Sequence, residues 1–223
     1  MQFTYDEFCG TDTLEIKDEV YNYLLKARRH KIDDEIYFRN LKDENLYLYK
    51  INFIDKKRAI LNLISSEKKI LLNHNKLHIG WCVVDPKTIE KYIPSLNEMG
   101  IDKITFIYSD FSQKNFKINI EKLEKILINS SCQCGRSNII KLDVCKNLDT
   151  FIKQNDNAYF LDFSEISIDD KKDEIKTLVI GCEGGFSAKE RSGFNTQNIV
   201  GFNSNLILRS ETAIISAGSK IVL

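Results

Sequence analysis

The chain has 223 residues, and its 32 lysines and arginines balance its 32 aspartates and glutamates, which gives a formal net charge of +0 at pH 7. Hydrophobic residues make up 43% of the sequence and charged residues 29%, as in a soluble globular protein with one domain or two modest ones. No apolar run approaches the ~18 residues that span a bilayer, and the N-terminus lacks the pattern of a signal peptide. We therefore predict a cytoplasmic protein with no membrane partner.

The cysteines are predicted to be free thiols, because cytoplasmic chains of this size rarely carry a disulfide scaffold. Cys132 and Cys134 have the wrong spacing for a zinc knuckle, and no second close pair completes one. His74 and His78 are four apart, but the asparagines that flank His74 indicate a linker. No metal site is predicted.

Residues 1–70 are predicted to form a small β-barrel. Residues 19–27 have the pattern of a short amphipathic helix, and alternating apolar residues predict strands at 35–38, 46–51 and 59–64. Basic clusters lie at residues 26–31 and 56–58. Charge alone favours an ordinary solvated surface for each cluster, although nucleic-acid-binding proteins contact phosphates through such clusters.

From residue 77 onwards strands alternate with helices, which predicts an α/β fold with a mostly parallel sheet and helices on both faces. Residues 66–76 are predicted to be the linker that precedes it. The predicted strands are 77–84, 102–108, 158–163, 177–180 and 199–202. The predicted helices are 87–99, with Gly100 as its C-cap, 120–131, 149–153 and 210–223, and a charge-rich surface turn is expected at 169–174.

Two motifs near the C-terminus are the most informative part of the chain. Residues 181–187 read Gly-Cys-Glu-Gly-Gly-Phe-Ser and directly follow a predicted strand. Residues 206–213 read Leu-Ile-Leu-Arg-Ser-Glu-Thr-Ala and open the last predicted helix. Ligands bind at the carboxyl edge of an open α/β sheet, and a glycine-rich turn there leaves main-chain groups uncovered by side chains. The glycine loop alone is equally compatible with a simple tight turn.

Together the two motifs resemble the signature of the RsmE-type ribosomal RNA uridine-N3 methyltransferases, a branch of the SPOUT superfamily. That family has a Gly-Pro-Glu-Gly-Gly-Phe-Ser loop and then an Ile-Leu-Arg-(Thr/Ala/Ser)-Glu-Thr-Ala segment. This chain departs at Cys182, where the family usually has Pro. Pro would stiffen the loop, whereas Cys leaves it looser and adds a donor.

The resemblance extends to the N-terminal part, with more departures. Residues 23–29 correspond to the family's His-Leu-x-x-Val-Leu-Arg segment, and Asp33 replaces the glycine that starts its next strand. Residues 133–137 resemble a Glu-Gln-Ser-Gly-Arg element. The implied N-terminal domain, residues 1–70, is a PUA-like barrel. PUA-like barrels bind RNA, so the basic residues of the first cluster and the later element become candidate RNA contacts: Lys26, Arg28, Arg29, Lys31 and Arg136.

For residues 71–223 the resemblance implies a SPOUT domain whose C-terminal part forms a deep trefoil knot. It implies a homodimer with the knot at the interface and S-adenosylmethionine as the cofactor in the knot loops. The implied activity is methylation of N3 of one uridine in the 16S ribosomal RNA of the small ribosomal subunit. Periodicity and composition do not indicate the knot, which rests on the resemblance.

The cofactor is expected to contact the main chain of the glycine loop and apolar walls from the strand ends and the second motif. The candidate cofactor-binding residues are Leu161, Gly181, Glu183, Gly184, Gly185, Leu206, Leu208, Glu211, Thr212 and Ala213. Glu183 can accept a hydrogen bond from the ligand or hold its own loop. Glu211 and Thr212 have the simpler alternative of capping the last helix.

Arg209 is the candidate catalytic residue, and no general base is assigned. Beside a helix N-terminus, its guanidinium can hold the cofactor carboxylate or a target phosphate, or stabilise the uridinate. Its structural alternative is an ion pair with Glu183 or Glu211. Arg136, with Gln133, is a plausible RNA or cofactor-tail contact, and the alternative there is a capping loop at Gly135.

Two other functions stay open. One is a SPOUT methyltransferase with another RNA target, such as transfer RNA. The other is a non-catalytic RNA-binding ribosome assembly factor that keeps the fold but has lost cofactor binding. The second draws on Cys182, on the altered N-terminal motif and on the neutral net charge.

Overall fold

The computed structural model describes residues 2–223, which divide into two compact units. The N-terminal unit contains the chain up to Leu72 together with Ile128–Ile139. The C-terminal unit contains Asn73–Leu127 and Ile140–Leu223. The domain division expected between residues 70 and 71 stays a prediction.

The N-terminal unit is built on a five-stranded sheet with the order β1-β3-β4-β5-β2. β1 pairs with β3 in parallel, and the other neighbours are antiparallel. Phe38 and Tyr49 are fully buried at its centre, with ring centroids 5.6 Å apart in an edge-to-face arrangement. The strands are β1 (Thr4–Tyr5), β2 (Thr13–Lys17), β3 (Glu35–Arg39), β4 (Asn45–Ile54) and β5 (Arg58–Lys68).

The structure corrects two expectations in this unit. The predicted helix at 19–27 is α-helical only in α1 (Asp18–Tyr21) and continues as a π-helical segment, Asn22–Ala27. The predicted linker begins too early, because β5 runs to Lys68, whose partner in β4 is Asn45. This end of β5 is exposed on both faces, so it lacks the apolar alternation that marks a half-buried strand.

Asp33, which stands where the family named by the resemblance has glycine, has a left-handed backbone. Its φ is +75°, in the left-handed region that glycine adopts without strain. Asp is among the residues that tolerate this region best. The backbone therefore keeps the conformation of a glycine turn although the side chain has changed.

The C-terminal unit contains a six-stranded sheet with the order β11-β9-β10-β6-β7-β8, in which all paired strands are parallel. The predicted α/β class with a mostly parallel sheet is confirmed. The strands are β6 (His78–Cys82), β7 (Lys103–Ile107), β8 (Lys141–Cys145), β9 (Tyr159–Leu161), β10 (Thr177–Ile180) and β11 (Ile199–Val200). The helices are α2 (Pro86–Met99), α3 (Ile120–Cys134), α4 (Leu148–Gln154), α5 (Ile168–Lys171), α6 (Ala188–Arg191) and α7 (Ser210–Val222), and a 3-10 turn spans Thr196–Asn198. Helix α3 begins in this unit, and its residues from Ile128 onwards belong to the N-terminal unit.

Gly100 ends α2 with φ +94°, as predicted for its C-cap. The expected surface turn at 169–174 is wrong in its first half, because Ser167 caps the short helix α5 through the backbone N–H of Asp169. No helix within residues 2–223 is long and apolar enough to cross a membrane. The trefoil knot stays a prediction.

Candidate functional site

The glycine loop lies at the point where the strand order of the parallel sheet reverses. The chain passes from β6 to β7 on one side, whereas β10 pairs with β6 on the other side. In an open α/β sheet, ligands bind in the crevice at the carboxyl ends of the strands at such a reversal. Residues 181–187 follow the carboxyl end of β10 directly.

The glycine loop, residues 181–187, is a tight turn with two glycines that no other residue replaces without strain. The backbone N–H of Gly185 donates to the carbonyl of Cys182 at 2.9 Å, and Gly185 has φ +66°. A Cβ at Gly181 would lie 3.0 Å from the Cα of Gly185. The turn therefore requires glycine at both ends for backbone reasons.

Gly184 faces a different neighbour, an aromatic side chain from the loop after β7. A Cβ at this position would lie 3.1 Å from the Cβ of Phe111 and 3.2 Å from its Cδ2. Phe111 is 54% exposed and Gly184 is exposed. The Phe111 side chain thus lies next to the exposed backbone of Gly184, at a surface that a flat ligand can approach.

The two C-terminal motifs meet through the hydroxyl of Ser210. Its Oγ donates to the carbonyl of Gly181 at 2.6 Å and accepts from the indole Nε1 of Trp81 at 3.0 Å. Ser210 is 4% exposed and Trp81 is fully buried. These buried hydrogen bonds hold the Gly181 carbonyl in one orientation, because a buried polar group without a hydrogen-bond partner lowers the free energy of unfolding. The start of α7 is therefore held directly against the glycine loop.

The other predicted site residues differ in how exposed they are. Arg209 is exposed at the N-cap of α7, and within residues 2–223 its guanidinium forms no ion pair, so the alternative partners Glu183 and Glu211 do not hold it. Leu206 is 77% exposed. Of the remaining candidates, Glu183 and Thr212 are exposed, Leu161, Leu208 and Glu211 are half-buried, and Ala213 is buried.

A carboxylate that the sequence analysis missed connects the glycine loop to the loop after β7. Glu190 is 5% exposed, and its two oxygens accept from the backbone N–H groups of Asp110 and Ser187, each at 2.9 Å. The hydroxyl of Ser187 donates to Asp110 Oδ2 at 2.6 Å and accepts from the Glu190 N–H. Ser187 and Glu190 form a capping box for α6, a spacing that the sequence does contain.

A second missed residue connects the glycine loop to the loop after β9. Arg191 donates from Nε and Nη2 to the Asp162 carboxylate at 2.6 and 3.1 Å, and from Nη1 to the carbonyl of Phe186 at 2.7 Å. The hydrogen bond to Asp162 raises the pKa of the guanidinium above its usual value. The residues are 29 apart in sequence, so no local pattern predicts this pair.

Cys182, which stands where the related family usually has Pro, is packed rather than loose. It is 6% exposed, and its thiol lies 3.8 Å from the carbonyl oxygen of Gly185 and 3.9 Å from the hydroxyl of Ser109. Neighbouring Cys82 is fully buried, and this burial raises the pKa of its thiol. All six cysteines are free, as predicted. No group of three or more metal-ligating side chains occurs within residues 2–223.

The N-terminal unit carries the predicted RNA contacts. Lys26, Arg28, Arg29 and Lys31 are exposed, and the guanidinium of Arg28 lies over the ring of Tyr23, 5.4 Å from its centroid. Arg136 differs from these four, since it is 7% exposed and its Nε donates to Asn138 Oδ1 at 2.7 Å. Gly135 beside it has φ +85°, as expected of a capping glycine.

Comparison with known proteins gives a consistent assignment. A family model described as an RNA methyltransferase domain matches residues 72–222, and one described as an RNA methyltransferase PUA domain matches residues 16–64. Ribosomal RNA small subunit methyltransferase E of Helicobacter pylori is 38% identical over 222 residues, which cover 98% of each chain. The protein of the same name from Buchnera aphidicola is 29% identical over 217 residues, or 91% of this chain and 84% of the relative.

Solved structures show the same fold. Ribosomal RNA small subunit methyltransferase E from Neisseria gonorrhoeae, bound to S-adenosyl methionine, superimposes with a TM-score of 0.81. The match covers 98% of this chain and 95% of that one, at 15% sequence identity. At this low sequence identity, the match shows that the two chains share a fold.

Proposed function

Since this chain belongs to the ribosomal RNA small subunit methyltransferase E family of RNA methyltransferases, we propose that it transfers a methyl group from S-adenosylmethionine to N3 of one uridine in 16S ribosomal RNA. The observation that carries this proposal is the hydrogen bond from Ser210 to Gly181, which joins the two family motifs at the strand-order reversal of the sheet. Transfer of a methyl group from a sulfonium needs alignment of nucleophile, methyl and sulfur more than acid–base machinery.

The residues of the glycine loop fit an adenosine-containing cofactor. Gly184 is exposed in the turn from Gly181 to Gly185, and the apolar side chain of Phe111 lies beside it. Leu206 offers an exposed apolar surface from the second motif. When bound, S-adenosylmethionine supplies the activated methyl group. The predicted contacts at Leu161, Glu183, Leu208, Glu211, Thr212 and Ala213 belong to this proposal.

Arg209 is the proposed catalytic residue. Its exposed guanidinium keeps its hydrogen-bond donors available to an incoming anion, because no carboxylate within residues 2–223 pairs with it. Uridine N3 is protonated at neutral pH and becomes anionic once it loses that proton. A guanidinium close to the base stabilises the anion, and such stabilisation accelerates the reaction if it is stronger in the transition state than in the ground state. In paired RNA the target base must first leave the helix.

We propose that the N-terminal unit binds the RNA backbone through Lys26, Arg28, Arg29 and Lys31. Arg136, the further contact predicted from the sequence, is left out of this proposal because it is buried and its Nε already donates to Asn138. Phosphate contacts from such a local cluster can supply most of the affinity for RNA, even though the whole chain has a formal net charge of +0. We also propose a homodimer through the knotted domain and a cytoplasmic location, where the small ribosomal subunit is found. Exposed apolar side chains of the C-terminal unit, such as Ile207 at 83%, support the dimer.

Primer extension on ribosomal RNA tests the proposed reaction. A methyl group on N3 blocks the pairing edge, so reverse transcriptase stops at the modified uridine. A deletion strain should lose one such stop in 16S RNA, and the wild-type chain should restore it, whereas Arg209→Ala should not. Mass spectrometry of nucleosides from ribosomal and transfer RNA pools completes the test. Loss of the modified nucleoside from transfer RNA instead would contradict the 16S assignment.

A further inference from the structure

Arg191 has more directional contacts than an ordinary surface arginine. It is the last residue of α6, and its three hydrogen bonds go to two different loops at the carboxyl edge of the sheet. Two of them form a fork on the carboxylate of Asp162, and the third reaches the carbonyl of Phe186 within the glycine loop. A planar guanidinium constrains both distance and angle in such a fork, which an ammonium does not.

Both ends of this connection are anchored in the fold. The backbone N–H of Asp162 donates to Val200 at 3.0 Å, which fixes the end of β9 against β11. Phe186 is 1% exposed and packs edge-to-face against Phe194 at 5.1 Å. Arg191 therefore joins two rigid points and does not simply cover a mobile loop.

The anchored residues are chain neighbours of the proposed cofactor contacts. Asp162 follows Leu161, and Phe186 follows Gly185. Arg191 Nη2 also lies 3.6 Å from the position of a Cβ on Gly185, so the guanidinium runs along the flank of the turn. Its length sets the separation between the loop after β9 and the glycine loop.

We propose that Arg191 is a positioning residue that, through Asp162, holds these two loops at the separation that S-adenosylmethionine requires. This inference rests on the proposed function. Arg191 acts on cofactor affinity and touches neither the methyl group nor the RNA. The Asp162 carboxylate is 12% exposed and the Arg191 side chain 45% exposed. Solvent reaches the Arg191 side of this ion pair and screens it, which limits its contribution to folding. The main effect of its loss is therefore expected on the position of the loops.

Isothermal titration with S-adenosylmethionine on the full chain tests this role. Arg191→Ala should raise the Kd about 10-fold, within the usual range of coupling between linked sites. Arg191→Lys keeps the charge but loses the fork, so it should recover only part of the affinity. Arg191→Ala combined with Asp162→Ala should bind no more weakly than Arg191→Ala alone, because the pair acts as one unit.

The matched control is Lys220→Ala, which removes another exposed ion pair of the same unit, Lys220 to Asp169 at 2.6 Å. It should bind the cofactor like wild type. Steady-state kinetics separates positioning from general damage: Arg191→Ala should raise the KM for S-adenosylmethionine and leave kcat at saturation nearly unchanged. If Arg191→Ala does not fold, Asp162→Asn provides the same comparison with the shape of the side chain kept.

A wild-type Kd in Arg191→Ala, or a loss of kcat with an unchanged KM, would overturn the inference. So would an equal loss of affinity in Lys220→Ala. These results differ from failure of the proposed function, in which the wild-type chain itself would bind no S-adenosylmethionine.

Discussion

Gly185→Ala isolates the contribution of backbone conformation to cofactor binding. Gly185 has φ +66°, and the nearest atom to an added Cβ is Arg191 Nη2 at 3.6 Å, an ordinary contact distance. The substitution therefore introduces no clash, only the cost of a left-handed residue, roughly 1–2 kcal/mol. In the variant the free loop relaxes to negative φ, and binding must restore the original turn. The Kd for S-adenosylmethionine should rise about 5- to 30-fold.

Stability should change much less than affinity in Gly185→Ala. Alanine restricts the unfolded chain by about 0.4–1 kcal/mol relative to glycine, which offsets part of the strain. Gly185→Asn should bind better than Gly185→Ala, because Asn adopts positive φ more readily. Gly193→Ala is the control, since Gly193 is exposed and its φ is not in the left-handed region. Titration calorimetry measures the Kd, and thermal melts measure the stability, of wild type, Gly185→Ala, Gly185→Asn and Gly193→Ala. Equal Kd values for Gly185→Ala and Gly193→Ala would refute the role of the left-handed backbone in cofactor binding.

Three further results are expected. Gly184→Val should abolish cofactor binding without unfolding the chain, because its branched side chain fills the exposed space where the adenosine is proposed to reach the backbone. An added Cβ there lies 3.2 Å from Cδ2 of the exposed Phe111 side chain, which can move aside; unfolding in circular dichroism would instead mean that the glycine serves packing. Arg209→Ala should leave a folded protein whose turnover falls about 10- to 150-fold, the loss of one charge-assisted hydrogen bond in the transition state, and unchanged methyl transfer would reduce this arginine to a structural role. Burial lowers the pKa of His78 to about 4. As the pH falls below about 6.5, the unfolded chain therefore binds a proton at His78 before the folded chain does, and the free energy of unfolding decreases. Urea unfolding at pH 7 and pH 5 should show that it falls by about 1 kcal/mol, after allowance for solvent screening. His78→Gln should remove this dependence, and the same pH dependence in the variant would assign it to other groups.

The fold was predictable where apolar periodicity and caps agree. The buried strand β6 and the helix α2, with Asp85 as its N-cap and Gly100 as its C-cap, follow directly from the sequence. β8 was missed, because four of its five residues are exposed or half-buried and they show no apolar run. β2 does alternate buried and exposed residues, so its pattern was available and was overlooked.

The candidate site was predictable as two motifs but not as a set of contacts. Sequence alone indicates that the glycine loop follows a strand and that Arg209 precedes a helix. It cannot indicate that Ser210 reaches Gly181, because the two residues are 29 apart and belong to different elements. The same holds for Arg191 and Asp162, whose fork depends on the order of the strands in the sheet. Contacts between loops follow from topology, which a local pattern does not contain.

The structure also weakens the arguments for a chain that kept the fold and lost its cofactor. Cys182 was expected to leave the loop looser than Pro, yet its thiol is buried and the carbonyl of the same residue accepts from Gly185. Asp33 keeps the left-handed backbone of the glycine that it replaces. The neutral net charge is an average, since the cluster at residues 26–31 is basic and its lysines and arginines are exposed. Cys182 therefore lies in a turn that still closes through its own carbonyl, and Asp33 adopts the left-handed backbone that a glycine would adopt there.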